Sequence, residues 1–167
     1  MKLAFDVQYY DTHAKAVCIR FLDWKDDEPF DIIIKEIKEV AAYVPGEFYK
    51  RELPCIMAIL DELLLSEVDM IVVDGYVFLD DKKKLGLGGY LYQTLGKKIP
   101  VIGVAKSPFH QNKTQVREVY RGDSKKPLYV SAIGEDVDVA AVFVKHMDGD
   151  YRMPTLLQLL DSKTKEK

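Results

Sequence analysis

Three carboxylates stand where α/β proteins do side-chain chemistry. Asp6 closes the opening apolar run, Glu52 stands at the head of an amphipathic segment, and Asp74 follows Met70-Ile71-Val72-Val73, the most hydrophobic run of the chain. Ligands of open α/β sheets collect outside the carboxyl ends of the strands, so Asp6 and Asp74 can share a cation if their strands lie adjacent and parallel. Two or three carboxylates, retained waters and a phosphate oxygen suit Mg²⁺, with Mn²⁺ as a substitute, whereas zinc recruits nitrogen or sulfur. A cation held this way polarises a phosphodiester and activates water, with Glu52 binding directly or orienting the nucleophile. Lys106 follows the apolar run 101–105, from which its ammonium could meet the same phosphate. Position alone also allows plainer accounts, in which acidic residues end strands as solubilising termini and Lys106 is a solvated strand-end lysine.

The elements that must present these residues follow from periodicity. Residues 3–7 form a short strand, 14–22 its hairpin partner, and 30–40, with Ile32, Ile33, Ile34, Ile37 and Val40, a third antiparallel strand. Over 51–65 apolar residues recur every three or four positions, the mark of an amphipathic helix, and Pro54 falls in its first turn, where a missing N–H costs little. The continuous apolar runs 70–73 and 99–105 read as strands covered on both faces. Between them the Gly-rich segment 85–95 predicts a helix lying close on the sheet. Shorter strands are expected at 116–120 and 128–133, helices at 136–146 and 154–160, and a frayed tail over 163–167. The fold class predicted is α/β: a mixed central sheet with antiparallel N-terminal strands and flanking helices, in a single domain spanning 1–167.

A formal net charge of −3, from 24 basic and 27 acidic side chains, excludes broad electrostatic attraction to a polyanion. A local lane remains open, from Lys82, Lys83, Lys84, Lys97, Lys98, Lys125 and Lys126, although basic turns are often only solvated surface. Cys18 and Cys55 sit in apolar runs and read as buried thiols rather than a bridge, which points to a reducing compartment and a cytoplasmic protein. No segment reaches the roughly 20 apolar residues of a membrane span, and the opening apolar stretch is too short for a signal peptide. His13, His110 and His146 lack metal-ligand spacing and read as surface residues. No oligomerisation surface stands out, so a monomer is expected.

Tyr43-Val44-Pro45-Gly46 with Arg51-Glu52-Leu53-Pro54, then Val72-Val73-Asp74-Gly75, then residues 99–107 and Pro127-Leu128-Tyr129-Val130-Ser131 occur in the order and spacing of the endonuclease V family, which this chain resembles over nearly its whole length. Phe5-Asp6-Val7 and Tyr151-Arg152-Met153-Pro154 extend the match. The resemblance implies an RNase H-like fold and Mg²⁺-dependent cleavage of DNA or RNA at the second phosphodiester 3′ of hypoxanthine, leaving a 3′-hydroxyl and a 5′-phosphate. It makes Asp6, Glu52 and Asp74 similar to the family's metal-binding acids and Lys106, with Ser107 beside it, to its active-site lysine. Tyr43, Val44, Pro45 and Gly46 correspond to the wedge that opens the duplex, a role for which a rigid turn with an aromatic face is suited because stacking rewards the opened base.

The chain also departs from the family pattern after Asp74-Gly75. Where the family places a glycine and then a histidine followed by Pro and basic residues, this chain has Tyr76-Val77-Phe78-Leu79-Asp80-Asp81-Lys82-Lys83-Lys84. Asp80 or Asp81 falls in the region of that histidine, and a carboxylate cannot donate the hydrogen bond of an imidazole. Tyr76 and Phe78 put bulk beside Gly75, where the family receives the flipped base, so a different substrate range is expected. Asp161 falls where the family carries a final histidine or acid, which adds it to the expected metal ligands. A nucleic-acid-binding homologue with little catalysis, and a nuclease for branched or distorted DNA, are the competing readings.

Overall fold

The computed structural model of the chain describes residues 1–109 and 111–166. It opens with a meander, β1 (Lys2–Tyr9), β2 (Ala14–Phe21) and β3 (Asp31–Ile37), and continues with α1 (Tyr49–Leu60), β4 (Met70–Asp74), α2 (Leu87–Thr94), β5 (Val101–Ala105), β6 (Arg117–Val119), β7 (Leu128–Ile133), α3 (Val137–Lys145) and α4 (Thr155–Lys165). The strands form one seven-stranded sheet in the order β3-β2-β1-β4-β5-β7-β6. β1, β4 and β5 run parallel at its centre, and every other pairing is antiparallel.

Strand alternation divides the core into two layers. Leu3, Phe5 and Val7 of β1 face one side, where Cys55, Ile56, Ile59 and Leu60 of α1 and Leu87 and Leu91 of α2 pack. Ala4, Val72, Ile102 and Val104 face the other, against Ala140 and Val144 of α3 and Leu156, Leu157 and Leu160 of α4. Each of these large side chains, once buried, contributes about 1.5–3 kcal/mol. The Gly-rich helix lies close on the sheet because a Cβ at Gly88 would stand 2.7 Å from Val77 Cγ2.

Several element boundaries differ from expectation: β1 spans Lys2–Tyr9 rather than 3–7, and α1 spans Tyr49–Leu60 rather than 51–65. The third strand ends at Ile37, because beyond it no register partner on β2 remains. The last helix does not stop at 160 but runs to Lys165, so the expected frayed tail starts no earlier than Glu166, and Lys167 lies outside the described residues. The extra turn is held by Thr164, fully buried, whose hydroxyl donates to Asp161 O and whose carbonyl accepts from Tyr10 Oη. Cys18 and Cys55 are both buried and free. Among the described residues no helix is long and apolar enough to cross a membrane.

Candidate active site

The register places two of the expected acids side by side. Lys2 to Phe5 of β1 pair in parallel with Met70 to Val73 of β4, so Asp6 and Asp74 are the next residues out at the carboxyl ends of adjacent central strands. Alternation turns both to the face of Ala4 and Val72, under α4. Asp6 Oδ1 accepts from Val7 N at 2.9 Å, and Thr164 Oγ1 reaches Oδ2 at 3.4 Å. Burial, then the neighbouring charge of Asp74, pushes the Asp6 carboxyl up to about 7, against the pull of the Val7 N–H. Asp74 is also raised, by desolvation of its carboxyl, with Lys106 opposing and Asp161 adding, although the residue as a whole reaches solvent.

Glu52 arrives from the other layer. It sits in the first turn of α1, 3% exposed, and its Oε2 has no hydrogen-bond partner among the described residues. Burial first, then Asp74 and Asp6, hold its carboxyl well above the usual range. The three acids therefore feel one another around the end of the sheet. Among the described residues no group of three or more His, Cys, Asp or Glu side chains is placed so that it could hold a metal ion. The three carboxylates are nonetheless all-oxygen donors, the chemistry that a hard cation takes. An ionised carboxylate left unpaired in the interior is costly, and a divalent ion among all-oxygen donors offsets that cost.

A narrow cavity of about 30 Å³ lies at this rim, lined by Asp6, Asp74, Lys106, Asp161 and apolar residues of β4, β5 and α4. That is room for an ion with a water or two, given that one water needs roughly 10–15 Å³. The added turn of α4 brings Asp161 here, where it pairs with Lys165 at 2.9 Å. Lys106 is exposed just past the end of β5 and lines the same cavity, where its charge opposes the rise of Asp74 and Asp6.

Asp74 also forms part of a second, wider cavity of about 350 Å³. Tyr43, Gly46, Phe48 and Tyr49 line one side, and Gly75, Tyr76, Leu79 and Phe109 the other. Tyr43 and Phe48 are exposed, as are Val44, Pro45 and Gly46 between them, and the Tyr49 ring stacks on Tyr90 of α2 at 3.8 Å. Of the two bulky residues after Gly75, only Tyr76 lines this space. Its hydroxyl donates to Ser107 O and its ring meets Phe109 edge to face, while Phe78 turns into the core. Gly103 lets this segment cross β5, since a Cβ there would stand 2.5 Å from Gly75 O and 2.8 Å from Ser131 Oγ.

Asp80 and Asp81 lie apart from the acid cluster and serve the loop itself. Asp80 Oδ1 accepts from the Lys82 and Lys84 N–H groups, and Asp81 Oδ1 from those of Lys113 and Thr114. Both carboxylates are thus engaged by loop backbone. Lys82 and Lys83 are exposed there, as are the other lysines of the expected lane. His13 stacks on Tyr10 and His146 is exposed, whereas His110 lies outside the described residues.

Several residues near the site make contacts that the sequence did not foretell. The Arg51 guanidinium stacks on the Tyr9 ring at 3.8 Å, flanking Glu52, and both Arg51 Nε and Tyr9 Oη are buried without partners among the described residues. Ser131 Oγ accepts from Val77 N, which fixes the strand exit behind Gly75. Phe48 and Phe109 carry no local signal, because their role arises from loops that meet only in the fold. Arg51, Ser131 and Arg152 all lie in segments of recognisable pattern, but nothing local assigns them a role.

Comparison with known proteins gives this arrangement a setting. The Endonuclease V family profile matches residues 3–125. Endonuclease V of Streptomyces avermitilis is 31% identical over 140 residues, covering 72% of this chain and 59% of that protein. Its counterpart in Streptomyces coelicolor is 32% identical, covering 72% and 58%, so the match spans only about three-fifths of these relatives' length. Among solved structures, Ciona intestinalis endonuclease V, in complex with a 24mer DNA containing an inosine followed by a ribo-adenosine, superposes with a TM-score of 0.79 at 19% identity, over 98% of this chain and 83% of that one. The Bacillus subtilis enzyme gives 0.75 at 21% identity, over 98% and 77%. Marinitoga piezophila Argonaute, in complex with guide RNA and target DNA, gives 0.54 at 10% identity over 96% of this chain and 28% of that one. The fold is the RNase H-like one.

Proposed function

This chain belongs to the endonuclease V family, and on that footing we propose that it is a Mg²⁺-dependent endonuclease that cuts DNA or RNA on the 3′ side of a deaminated purine, leaving a 3′-hydroxyl and a 5′-phosphate. One observation carries the reading: Asp74 is a wall of both the small acidic cavity and the wide aromatic one. A base taken into the aromatic cavity brings its own strand's phosphates to the carboxylates. The solved relative from Ciona intestinalis that holds inosine-containing DNA supports this choice of substrate class.

Asp6, Asp74 and Glu52 would hold the divalent cation, with Asp161 beside them. When bound, that ion supplies Lewis acidity at the scissile phosphate and neutralises charge on the leaving oxygen. Glu52 Oε2, unpartnered, is the acceptor available to orient an attacking water. Val7 N–H and Thr164 Oγ1 fix the Asp6 carboxylate, and Lys106 offers its ammonium to a non-bridging oxygen of the phosphate. Tyr43 and Phe48 present ring faces to the opened base, and stacking of this kind is worth about 1–3 kcal/mol per base. Lys82 and Lys83 stand where backbone phosphates can be met without reading sequence. The whole chain acts as one domain in this reading, and its two free, buried thiols fit a reducing compartment such as the cytoplasm.

The test is incubation with Mg²⁺, and separately Mn²⁺, and matched oligonucleotides carrying one hypoxanthine in DNA or in RNA. Site-specific nicking is expected. Intact substrate of both kinds, from a folded preparation, refutes the proposal. The second reading, a binding homologue with little catalysis, draws on the loop-bound Asp80 and Asp81 in place of a histidine. It requires tight binding of the same oligonucleotides with no product.

A further inference from the structure

The two residues that follow β5 have their carbonyls gripped by side chains from distant segments. Arg152, in the loop before α4, donates from Nη2 to Lys106 O, and from Nη2 and Nε to Pro127 O at 2.7 and 3.1 Å. Tyr76 Oη donates to the next carbonyl, Ser107 O. The antiparallel ladder between β5 and β7 has just ended, its last pair being Ala105 with Tyr129. Pro127 has no N–H and cannot extend it. The guanidinium fork therefore spans the gap where the strands part, which is where a ligand rim forms.

The loop bearing Arg152 is itself fixed. Arg121, 5% exposed, donates to Tyr151 O and Met147 O, both at 2.6 Å, and to Gly149 O at 3.0 Å. A path of hydrogen bonds thus runs from the exit of β6 through this loop to the backbone of Lys106. We propose that Arg152 is the positioning residue for Lys106, its guanidinium acting as the final rung between β5 and β7 and setting the backbone from which the lysine reaches the phosphate. This rests on Lys106 being a phosphate contact. A lysine on a four-carbon stem depends heavily on its anchor, and a 1 Å misplacement at a reacting centre can cost about 100-fold.

The experiment is a double-mutant cycle read by binding, so that it does not depend on turnover. A fluorescein-labelled single-stranded oligonucleotide with one hypoxanthine is titrated by anisotropy, in EDTA, across a range of salt. Lys106→Ala is expected to weaken binding several-fold and to flatten the salt slope by about 0.7, the loss of one phosphate contact on a single strand. Arg152→Gln is expected to do the same, and the double variant no more than either alone. Arg152→Lys keeps the charge but not the fork, and should behave like the glutamine variant. Additive losses, rescue by Arg152→Lys, or wild-type binding by Lys106→Ala or Arg152→Gln overturns the inference. If Arg152→Gln does not fold, Arg152→Lys, which keeps the charge but not the fork, takes its place in the cycle. A loss that vanishes in the Lys106→Ala background supports the rung, and an additive one overturns it. If the wild type cuts nothing while the cycle is non-additive, the endonuclease reading falls and the positioning role stands.

Discussion

Replacing Asp6 by Asn should make the metal-free protein more stable while removing its response to metal. The carboxyl stands at about 7 against 3.8 for an ordinary aspartate, chiefly because it is buried and secondly because Asp74 is beside it. At about 1.4 kcal/mol per tenfold change in acidity, ionising Asp6 in the fold costs roughly 4 kcal/mol more than in the unfolded chain. Asn keeps an oxygen for the Val7 N–H but buries an amide with uncertain partners, which returns about 1–3 kcal/mol. The net gain is about 1–3 kcal/mol, or roughly 3–10 °C in Tm for a chain of this size. The sign fixes its pH window. Near pH 4 and below, the raised group is protonated in the fold and its stability is intact. That stability is lost as pH rises toward about 7, because the unfolded chain ionises first. Thermal melts of both proteins in EDTA from pH 4 to 8.5 should therefore show the variant less stable by about 1–3 kcal/mol at the acid end, the order reversing between pH 4 and 7, and a constant gain for the variant above. Mg²⁺ should raise the Tm of the wild type and leave the variant unmoved. A gap equal at pH 4 and pH 8, or a variant less stable than wild type at pH 8, refutes the reasoning.

Asp74→Asn should lower cleavage by about 10²-fold or more with the circular dichroism spectrum unchanged, since Asp74 lies at the end of β4 and reaches solvent; near-wild-type rates would remove it from the metal site. Tyr43→Ala, at a side chain 59% exposed, should weaken binding of a hypoxanthine oligonucleotide about 5- to 100-fold while leaving the Mg²⁺-induced rise in Tm alone, and equal affinity for lesion and control strands in both proteins would take Tyr43 out of the base site. Gly103→Ala should cost about 1–3 kcal/mol in a denaturant melt, because the new methyl meets backbone at Gly75 O and not only a movable side chain; unchanged stability would mean that the 75–77 segment does not rest on β5.

Period-two alternation and continuous apolar runs are local properties, so β1, β4 and β5, the amphipathic α1, and the candidate acids at their ends were all legible in the chain. So was the mixed sheet, because antiparallel strands came first and alternating helices and strands later. What local pattern cannot encode is which element meets which. Sheet order set Asp6 beside Asp74, while α1, packed on the opposite layer, left Glu52 within reach of their charge and its Oε2 without a partner among the described residues. The span of α4 was underestimated because the turn carrying Asp161 and Lys165 is polar in sequence and rests on Thr164, buried against distant strands. Asp80 and Asp81 looked like histidine replacements by position, yet backbone N–H groups more than thirty residues away claim Asp81. Arg152, Arg121 and Tyr76 act on carbonyls, which carry no sequence signature. Residue types and spacing were enough to show what chemistry this chain could host. The convergence of loops far apart in sequence decided which side chains are free to perform it, because contacts of that kind follow from how the layers pack and not from any single segment.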